Sequence, residues 1–381
     1  MGMTQALEGF TLIGEQETKM LDTERKPWRI LVINPGSTST KIAVFEDEKL
    51  LCGEDIAHAH QELAAFPRIP DQYAFRRDVV LSFLDKHGIS LQSLDAVVGR
   101  GGILRPLASG TYRVNERMLQ ELRNPNKERD HPSNLGAIIA HEIAQQAGVP
   151  AFIVDPVCVD EFEPLARVSG LPEIERKSLS HALSLKSTAR RAARELGRRY
   201  EELHLVVVHM GGGISVSAHR RGKMIDVNQA LDGTGPFSPE RVGGLPVGDV
   251  LRLAFSGKYT YEELFRRFTR QGGLVAHLGT NDAIEVERRI AAGDEHARLI
   301  YEAMAYQIAK EIGLMATVLK GQVDAIVLTG GLAHSSMLVG WIRERVEWIA
   351  PVLVYPGQDE MLAMAQGALR VLRGEEEAKE Y

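Results

Sequence analysis

The sequence predicts an α/β protein of two domains, on three observations. Its 381 residues exceed what one hydrophobic core usually holds. Short runs rich in β-branched residues alternate with helix-periodic stretches almost from end to end. The pattern strand, glycine-bearing turn, strand occurs twice, at residues 31–45 through Pro35-Gly36-Ser37 and at residues 205–218 through Gly211-Gly212-Gly213, which reads as a duplicated architecture.

Taken in order, residues 30–34 and 42–46 read as strands. Residues 133–148 read as a helix: Ser133 is a candidate N-cap, Leu135, Ile138, Ile139, Ile143 and Ala147 follow helical spacing, and Gly148 with Pro150 ends it. Residues 151–154 read as a buried strand. The second half repeats the grammar, with a helix near 183–196, strands at 203–209 and 214–219, a long helix around 295–319 and a strand at 325–328. Residues 1–28 are polar, mixed in charge and without sustained periodicity; they read as an N-terminal extension, disordered or arising from a start codon assigned too early.

A hydrophobic fraction of 44% and a charged fraction of 25% describe a globular protein and exclude disorder over most of the chain. The formal charge of −6 is spread along it, so nucleic acid is disfavoured as a partner. The two cysteines, Cys52 and Cys158, stand far apart in apolar surroundings, which fits a reducing compartment and gives neither a disulfide framework nor a zinc motif. The longest apolar runs are too short to cross a bilayer and no basic region precedes an apolar one at the N-terminus, so no membrane partner and a cytoplasmic location are expected.

Asn34-Pro35-Gly36-Ser37-Thr38-Ser39-Thr40-Lys41 lies between two strands, so amides, hydroxyls and one ammonium converge at a sheet edge. Such a turn suits a phosphate: glycine lets the backbone come close, N–H groups in a concave turn bind anions, and hydroxyls add donors without charge. It is not a Walker loop, because the G-x-x-x-x-G-K-[ST] spacing is absent and a strand follows. Alone it could equally be a hairpin with a polar tip. His209-Met210-Gly211-Gly212-Gly213-Ile214-Ser215 is a second such turn, with more glycines than tightness requires, and Thr329-Gly330-Gly331-Leu332-Ala333 follows a third buried strand. Three glycine turns at three strand ends point to one nucleotide spanning a cleft.

In this order the motifs resemble the acetate/butyrate kinase branch, the acetokinase family, of the acetate and sugar kinase, Hsp70 and actin superfamily, over about residues 29–373. The resemblance is carried by Asn34-Pro-Gly-Ser-Thr-Ser-Thr-Lys41, Val98-Gly-Arg-Gly-Gly102, His131-Pro-Ser-Asn-Leu-Gly-Ala137, Val154-Asp-Pro-Val157, His209-Met-Gly-Gly-Gly-Ile-Ser215, Ala230-Leu-Asp-Gly-Thr-Gly-Pro-Phe237 and Thr329-Gly-Gly-Leu-Ala-His334, and within the branch it points to butyrate kinases.

The resemblance implies two RNase H-like (actin-like ATPase) domains with mixed β-sheets flanked by helices and an active-site cleft between them. Residues 29–157 with 358–381 form the acid and phosphate side, and 158–357 the nucleotide side. It implies ATP/ADP and Mg²⁺, a carboxylic acid and its acyl phosphate as ligands, and a homo-oligomer, dimer or higher. By the same resemblance Arg100 binds the acid and the transferring phosphoryl group, Asp155 is the catalytic aspartate and His181 the histidine at the transition state. Asn34, Gly36, Ser37, Thr38, Lys41, His209, Gly211, Gly212, Gly213, Asp282, Gly330 and Gly331 bind the nucleotide, while Glu360 and Asp155 serve the metal.

These residue types suit the chemistry. A carboxylate is already a nucleophile at pH 7, so phosphoryl transfer to it needs positioning and charge neutralisation rather than a strong base. Each residue also has a plainer reading: Arg100 as a loop charge, Asp155-Pro156 as a turn pair, His181 and His209 as packing, Glu360 as a helix N-terminal acid. Relative to acetate kinase, an arginine is missing from Gly243-Gly-Leu-Pro-Val-Gly248, where Arg241 could supply the charge; Asp282-Ala283-Ile284 keeps the aspartate but lacks an arginine; and Gly212 replaces an asparagine. These departures are shared in kind with butyrate kinases, so the expected reaction is butyrate + ATP = butyryl phosphate + ADP. Propionate, isobutyrate, valerate and acetate are the alternatives. A sugar kinase using Asp155 as base, or an actin- or Hsp70-like nucleotide switch, ranks lower, the latter because little chain follows Glu360.

Overall fold

Four-residue apolar runs such as Ile30-Leu-Val-Ile33 and Leu205-Val-Val-Val208 are buried on both sides of their strands, so each sheet must be covered on both faces. The computed structural model, which describes residues 26–126, 130–231, 233–357 and 359–381, shows two such sheets. Almost all of the expected N-terminal extension therefore lies outside the described residues.

The first sheet is built from β1 (Arg29–Pro35), β2 (Ser39–Glu46), β3 (Lys49–Ala57), β4 (Ala96–Gly99), β5 (Thr111–Arg113) and β6 (Ala151–Val154), in the order β3-β2-β1-β4-β6-β5. The second contains β7 (His204–Met210), β8 (Ile214–Arg220), β9 (Lys223–Val227), β10 (Ala325–Gly330) and β11 (Val352–Pro356), in the order β11-β10-β7-β8-β9. In each, an antiparallel three-stranded meander is continued by parallel strands: β4 then β6 beside β1, β10 then β11 beside β7. The echo seen in two turns thus extends to whole sheets, and the mixed, doubly covered α/β architecture agrees with the expected fold class.

Five helices position the site: α1 (Tyr73–Lys86), α2 (Asn134–Ala147), α3 (Ala182–Glu195), α4 (Glu295–Val318) and α5 (Glu360–Leu372). Alternate residues of β1 divide the first core. Leu31 and Ile33 pack with Val80 and Phe83 of α1 and Ile138 and Ile139 of α2, while Ile30 and Val32 pack with Met364, Ala365 and Ala368 of α5. In the second sheet Val206 and Val208 meet Met304, Ile308 and Ile312 of α4, and Leu205 and Val207 meet Leu185, Ala189 and Ala192 of α3. Leu183 of α3 reaches into the cluster around α5, so the two inner helices join the sheets at the cleft.

One local expectation fails. Ser133 does not cap α2: it is already helical, at φ −59° and ψ −20°, with no side-chain cap bond. Its hydroxyl is instead engaged with His131 Nδ1 at 2.8 Å. The other end behaves as read, with Gly148 left-handed at φ 73°.

The contact of α2 with β4 allows no side chain at two glycines. A Cβ on Gly99 would lie 2.1 Å from the Gly136 carbonyl oxygen, and one on Gly136 2.5 Å from the carbonyl oxygen of Arg100. Gly136→Ala is therefore expected to destabilise the protein by about 1–3 kcal/mol. Gly313→Ala, in open space on α4, should be neutral or stabilise by up to about 1 kcal/mol. Urea midpoints at unchanged m-value check the pair; a Gly136→Ala midpoint equal to wild type would contradict the packing.

Candidate active site

Arg100 leaves the C-terminal end of β4, where its N–H donates to the Ile33 carbonyl at 2.8 Å. Its side chain is 9% exposed, and Nη2 lies 3.7 Å from Glu360 Oε1, too long for a hydrogen bond. Nη1 is buried and meets no acceptor among the described residues. Glu360 is the first residue of α5, capped by Asp359, whose carboxylate accepts from the Leu362 N–H. Its other oxygen, Oε2, accepts from Asn34 Nδ2 at 3.0 Å. The ends of β1 and β4 and the start of α5 thus converge on one partly exposed carboxylate.

His181 and His209 stack with ring centroids 4.1 Å apart. Nδ1 of His181 is engaged with the Ser215 hydroxyl at 2.9 Å, and Nδ1 of His209 with the Ser184 hydroxyl at 2.9 Å. Burial, then His209, Arg241 and Arg100, holds the His181 pKa well below its ordinary value. Burial lowers His209 to about 4, with Glu360 opposing and Arg241 assisting. Both rings are therefore neutral near pH 7, and both feel charges from the cluster around Arg100.

Arg241 enters the same cluster. Its Nη1 donates to the Ala230 carbonyl, and a Cβ on Gly213 would lie 2.2 Å from that nitrogen and 3.2 Å from the His181 ring. Gly213 thus makes room for Arg241 and His181. Gly212 is exposed, and Gly330, at φ 94°, packs so close that a Cβ would meet the Met210 carbonyl oxygen at 2.3 Å. Gly211 lies over the His209 ring, while Gly331 faces open space.

In the first turn Gly36 N–H donates to the Ser39 carbonyl at 2.8 Å, and Ser37 and Thr38 are exposed. Lys41 does not join them: it lies on β2 with its ammonium 3.9 Å from Asp55 across the β2–β3 ladder. Asp282 caps the helix Ala283–Ala291, accepting from the Ile284 N–H at 2.9 Å. Its neighbour Asn281 donates to Glu240 at 2.7 Å, beside the Gly212 turn.

Asp155 has different company from Arg100. It is wholly buried and left-handed at φ 38°. Oδ1 accepts from the Ser109 hydroxyl (2.6 Å) and the Gly110 N–H (2.8 Å), and Oδ2 from Arg190 Nη1 (3.1 Å) on α3. Burial pushes its pKa up, but Arg190, Lys186 and the Ser109 hydroxyl outweigh that and keep it below the ordinary carboxylate value. It ties the end of the first sheet to α3, with both oxygens already occupied by protein donors.

The residues fit a phosphorylated ligand. Among the described residues Arg100 has no anion within hydrogen-bonding distance, Arg241 adds charge, and the first turn offers exposed hydroxyls. For Mg²⁺, which is commonly held by one or two carboxylates together with phosphate oxygens, Glu360 has the right place; Asp155 does not present a free oxygen.

The fold has known counterparts. Over 91% of this chain and 100% of the other, it superposes on the crystal structure of Porphyromonas gingivalis acetate kinase with a TM-score of 0.73 at 20% identity. A propionate kinase from Francisella tularensis subsp. tularensis SCHU S4 gives 0.70 at 19% over 89% and 98% of the two chains. The acetate kinase from Entamoeba histolytica gives 0.71 at 16% over 90% and 99%. The chain has an acetate kinase-like fold. Residues 174–349, which carry His181, His209, Arg241 and Gly330, match the model of the acetokinase family. Among the described residues no helix is long and apolar enough to cross a membrane.

The buried histidines set a pH dependence. His209 takes up its proton near pH 4 when folded and near about 6.5 when unfolded, so between those values the unfolded chain binds the extra proton and stability falls as pH drops. His209→Asn should remove about 1.4 kcal/mol per pH unit of that fall across the window. Urea unfolding at several pH values checks it; equal slopes for variant and wild type would contradict the neutral, buried assignment.

Proposed function

We propose that the protein is an ATP-dependent kinase that passes a phosphoryl group directly to the carboxylate of a short-chain fatty acid, butyrate by preference. The observation that carries this reading is the Arg100 guanidinium, buried at the junction of both sheets with Nη1 lacking an acceptor among the described residues and the Glu360 carboxylate at 3.7 Å. A guanidinium fork there can grip a carboxylate or phosphoryl oxygen bidentately. The match of residues 174–349 to the acetokinase family supports the reaction class.

In this reading Arg100 orients the acid and neutralises the oxygens of the group in transfer. Asn34 fixes Glu360 through its 3.0 Å hydrogen bond, and Glu360 would hold Mg²⁺, which supplies further charge neutralisation when bound. Neutral His181, steadied by Ser215, can donate a hydrogen bond without repelling Arg100 and Arg241. The turn after β1 receives the transferring phosphate and the turns after β7 and β10 the rest of the nucleotide. Asp155 orders the junction through Arg190. Its complete burial argues against a sugar hydroxyl as acceptor, because that reaction would require it as a base, whereas a carboxylate requires none. The choice of butyrate rests on the motif series shared with butyrate kinases, with propionate, isobutyrate, valerate and acetate next in order.

Incubation with ATP, Mg²⁺ and each acid, trapping acyl phosphate with hydroxylamine, tests the proposal. Hydroxamate should form, most with butyrate; sugar phosphorylation or bare ATP hydrolysis without hydroxamate from any acid would overturn it. Arg100→Lys, which keeps charge but loses the fork, should lower kcat/KM by about 10²–10³ while ADP still binds. Near-wild-type kinetics would refute the role of Arg100.

A further inference from the structure

Arg76, on α1, is fully buried at zero exposure, yet no carboxylate pairs with it among the described residues. Nε and Nη2 both donate to Gln72 Oε1 at 3.1 Å. Nη1 donates to the Ser39 carbonyl at 2.9 Å and to Thr40 Oγ1 at 3.1 Å. The Thr40 hydroxyl, an acceptor from Arg76, is also engaged with His58 Nε2 at 2.8 Å, and the backbone N–H of His58 donates to the Thr38 carbonyl at 2.8 Å. Burial and Arg76 together lower the His58 pKa, so that ring brings no second cation. The neighbouring Arg77 shows the ordinary arrangement, paired with Asp78 and Glu142 at the surface.

Nε and Nη2 are held by Gln72, while Nη1, on the Ser39 carbonyl, and the His58 backbone N–H, on the Thr38 carbonyl, brace the turn at residues 36–39. The carbonyls of Thr38 and Ser39 are held from within, while Ser37 and Thr38 are exposed and their amides and hydroxyls meet no protein acceptor among the described residues. A buried cation without a counter-ion costs several kcal/mol. Burial lowers the Arg76 pKa only to about 10, so it stays charged near pH 7. An anion seated on the turn that its guanidinium holds would compensate it.

Resting on the phosphoryl-transfer reading, we propose that Arg76 is a positioning residue: its buried charge holds the turn at 36–39 in its anion-binding form and is balanced by the phosphoryl group that the turn receives. It acts through the Ser39 carbonyl and Thr40 and does not touch the ligand. The turn is then incomplete electrostatically until phosphate arrives, which favours phosphate over neutral ligands at that spot.

Inorganic phosphate and ADP are titrated separately into the full-length protein and the rise in Tm is read for wild type, Arg76→Lys, Arg76→Gln and Arg76→Met. The Met variant keeps the length of the side chain without its charge, and urea unfolding of each variant reports whether it is folded before its phosphate response is compared. Phosphate affinity should fall on the order of tenfold in the Gln and Met variants and recover in part in Lys, with the ADP response little changed in all. In kinetics the loss should fall on kcat and on KM for the acyl phosphate, with KM for ADP unchanged. Wild-type phosphate responses in the uncharged variants, or a Lys variant no better than Gln, overturn this proposal alone. A wild type that ADP stabilises and phosphate does not overturns it as well, and a wild type that responds to neither overturns the underlying nucleotide reading too.

Discussion

The rest of the site depends on a positive charge that the fold leaves short of a partner. Arg100 is buried beside a single carboxylate at 3.7 Å, Arg241 stands over Gly213, and the two stacked histidines are held neutral by burial. Arg100 itself has no acceptor for Nη1 among the described residues, so its buried charge is only partly answered by Glu360. In a low-dielectric setting such a charge is costly to maintain, and in the proposed function a phosphorylated ligand would offset it. Arg76 repeats the logic one layer deeper, behind the first turn.

The two-sheet plan explains how these charges come together. Strand ends β1, β4 and β7 deliver Asn34, Arg100 and His209, and α5, returning from the second sheet to the first, brings Glu360 between them. Asp155 with Arg190 on α3 fastens the same crossing from the other side. Glycine does the geometric work at the contacts: Gly99 and Gly136 seat Arg100 against α2, and Gly213 admits Arg241 and His181.

Much of this was legible in the sequence because it is local. Runs such as Ile30–Ile33 announce strands buried on both faces, the repeated strand–glycine–strand pattern announces the duplicated sheets, and Arg100, His181, His209, Asn34 and Glu360 all fall in one cluster. What was not legible depends on distant partners. Asp155 is closed off by Ser109 and Arg190, 46 and 35 residues away, which no motif displays. Lys41 belongs to a ladder register that aims it at Asp55. Ser133 has a competing partner in His131. Arg76 and Arg77 are adjacent and chemically identical, so only the packing of α1 against β2 tells the buried one from the paired one. The three glycines after β7 suggest a phosphate contact, but their sequence does not show that Gly213 also makes room for a side chain 28 positions on, Arg241.

The central claim is that Arg100 is held ready for the group in transfer. A crystal structure with ADP, Mg²⁺, a fatty acid and a planar fluoride mimic of the phosphoryl group tests it most directly. The account predicts the Arg100 guanidinium within hydrogen-bonding distance of both the mimic and the acid carboxylate, with Glu360 at the metal. An Arg100 side chain turned away from the mimic, with the acid held elsewhere, would contradict it.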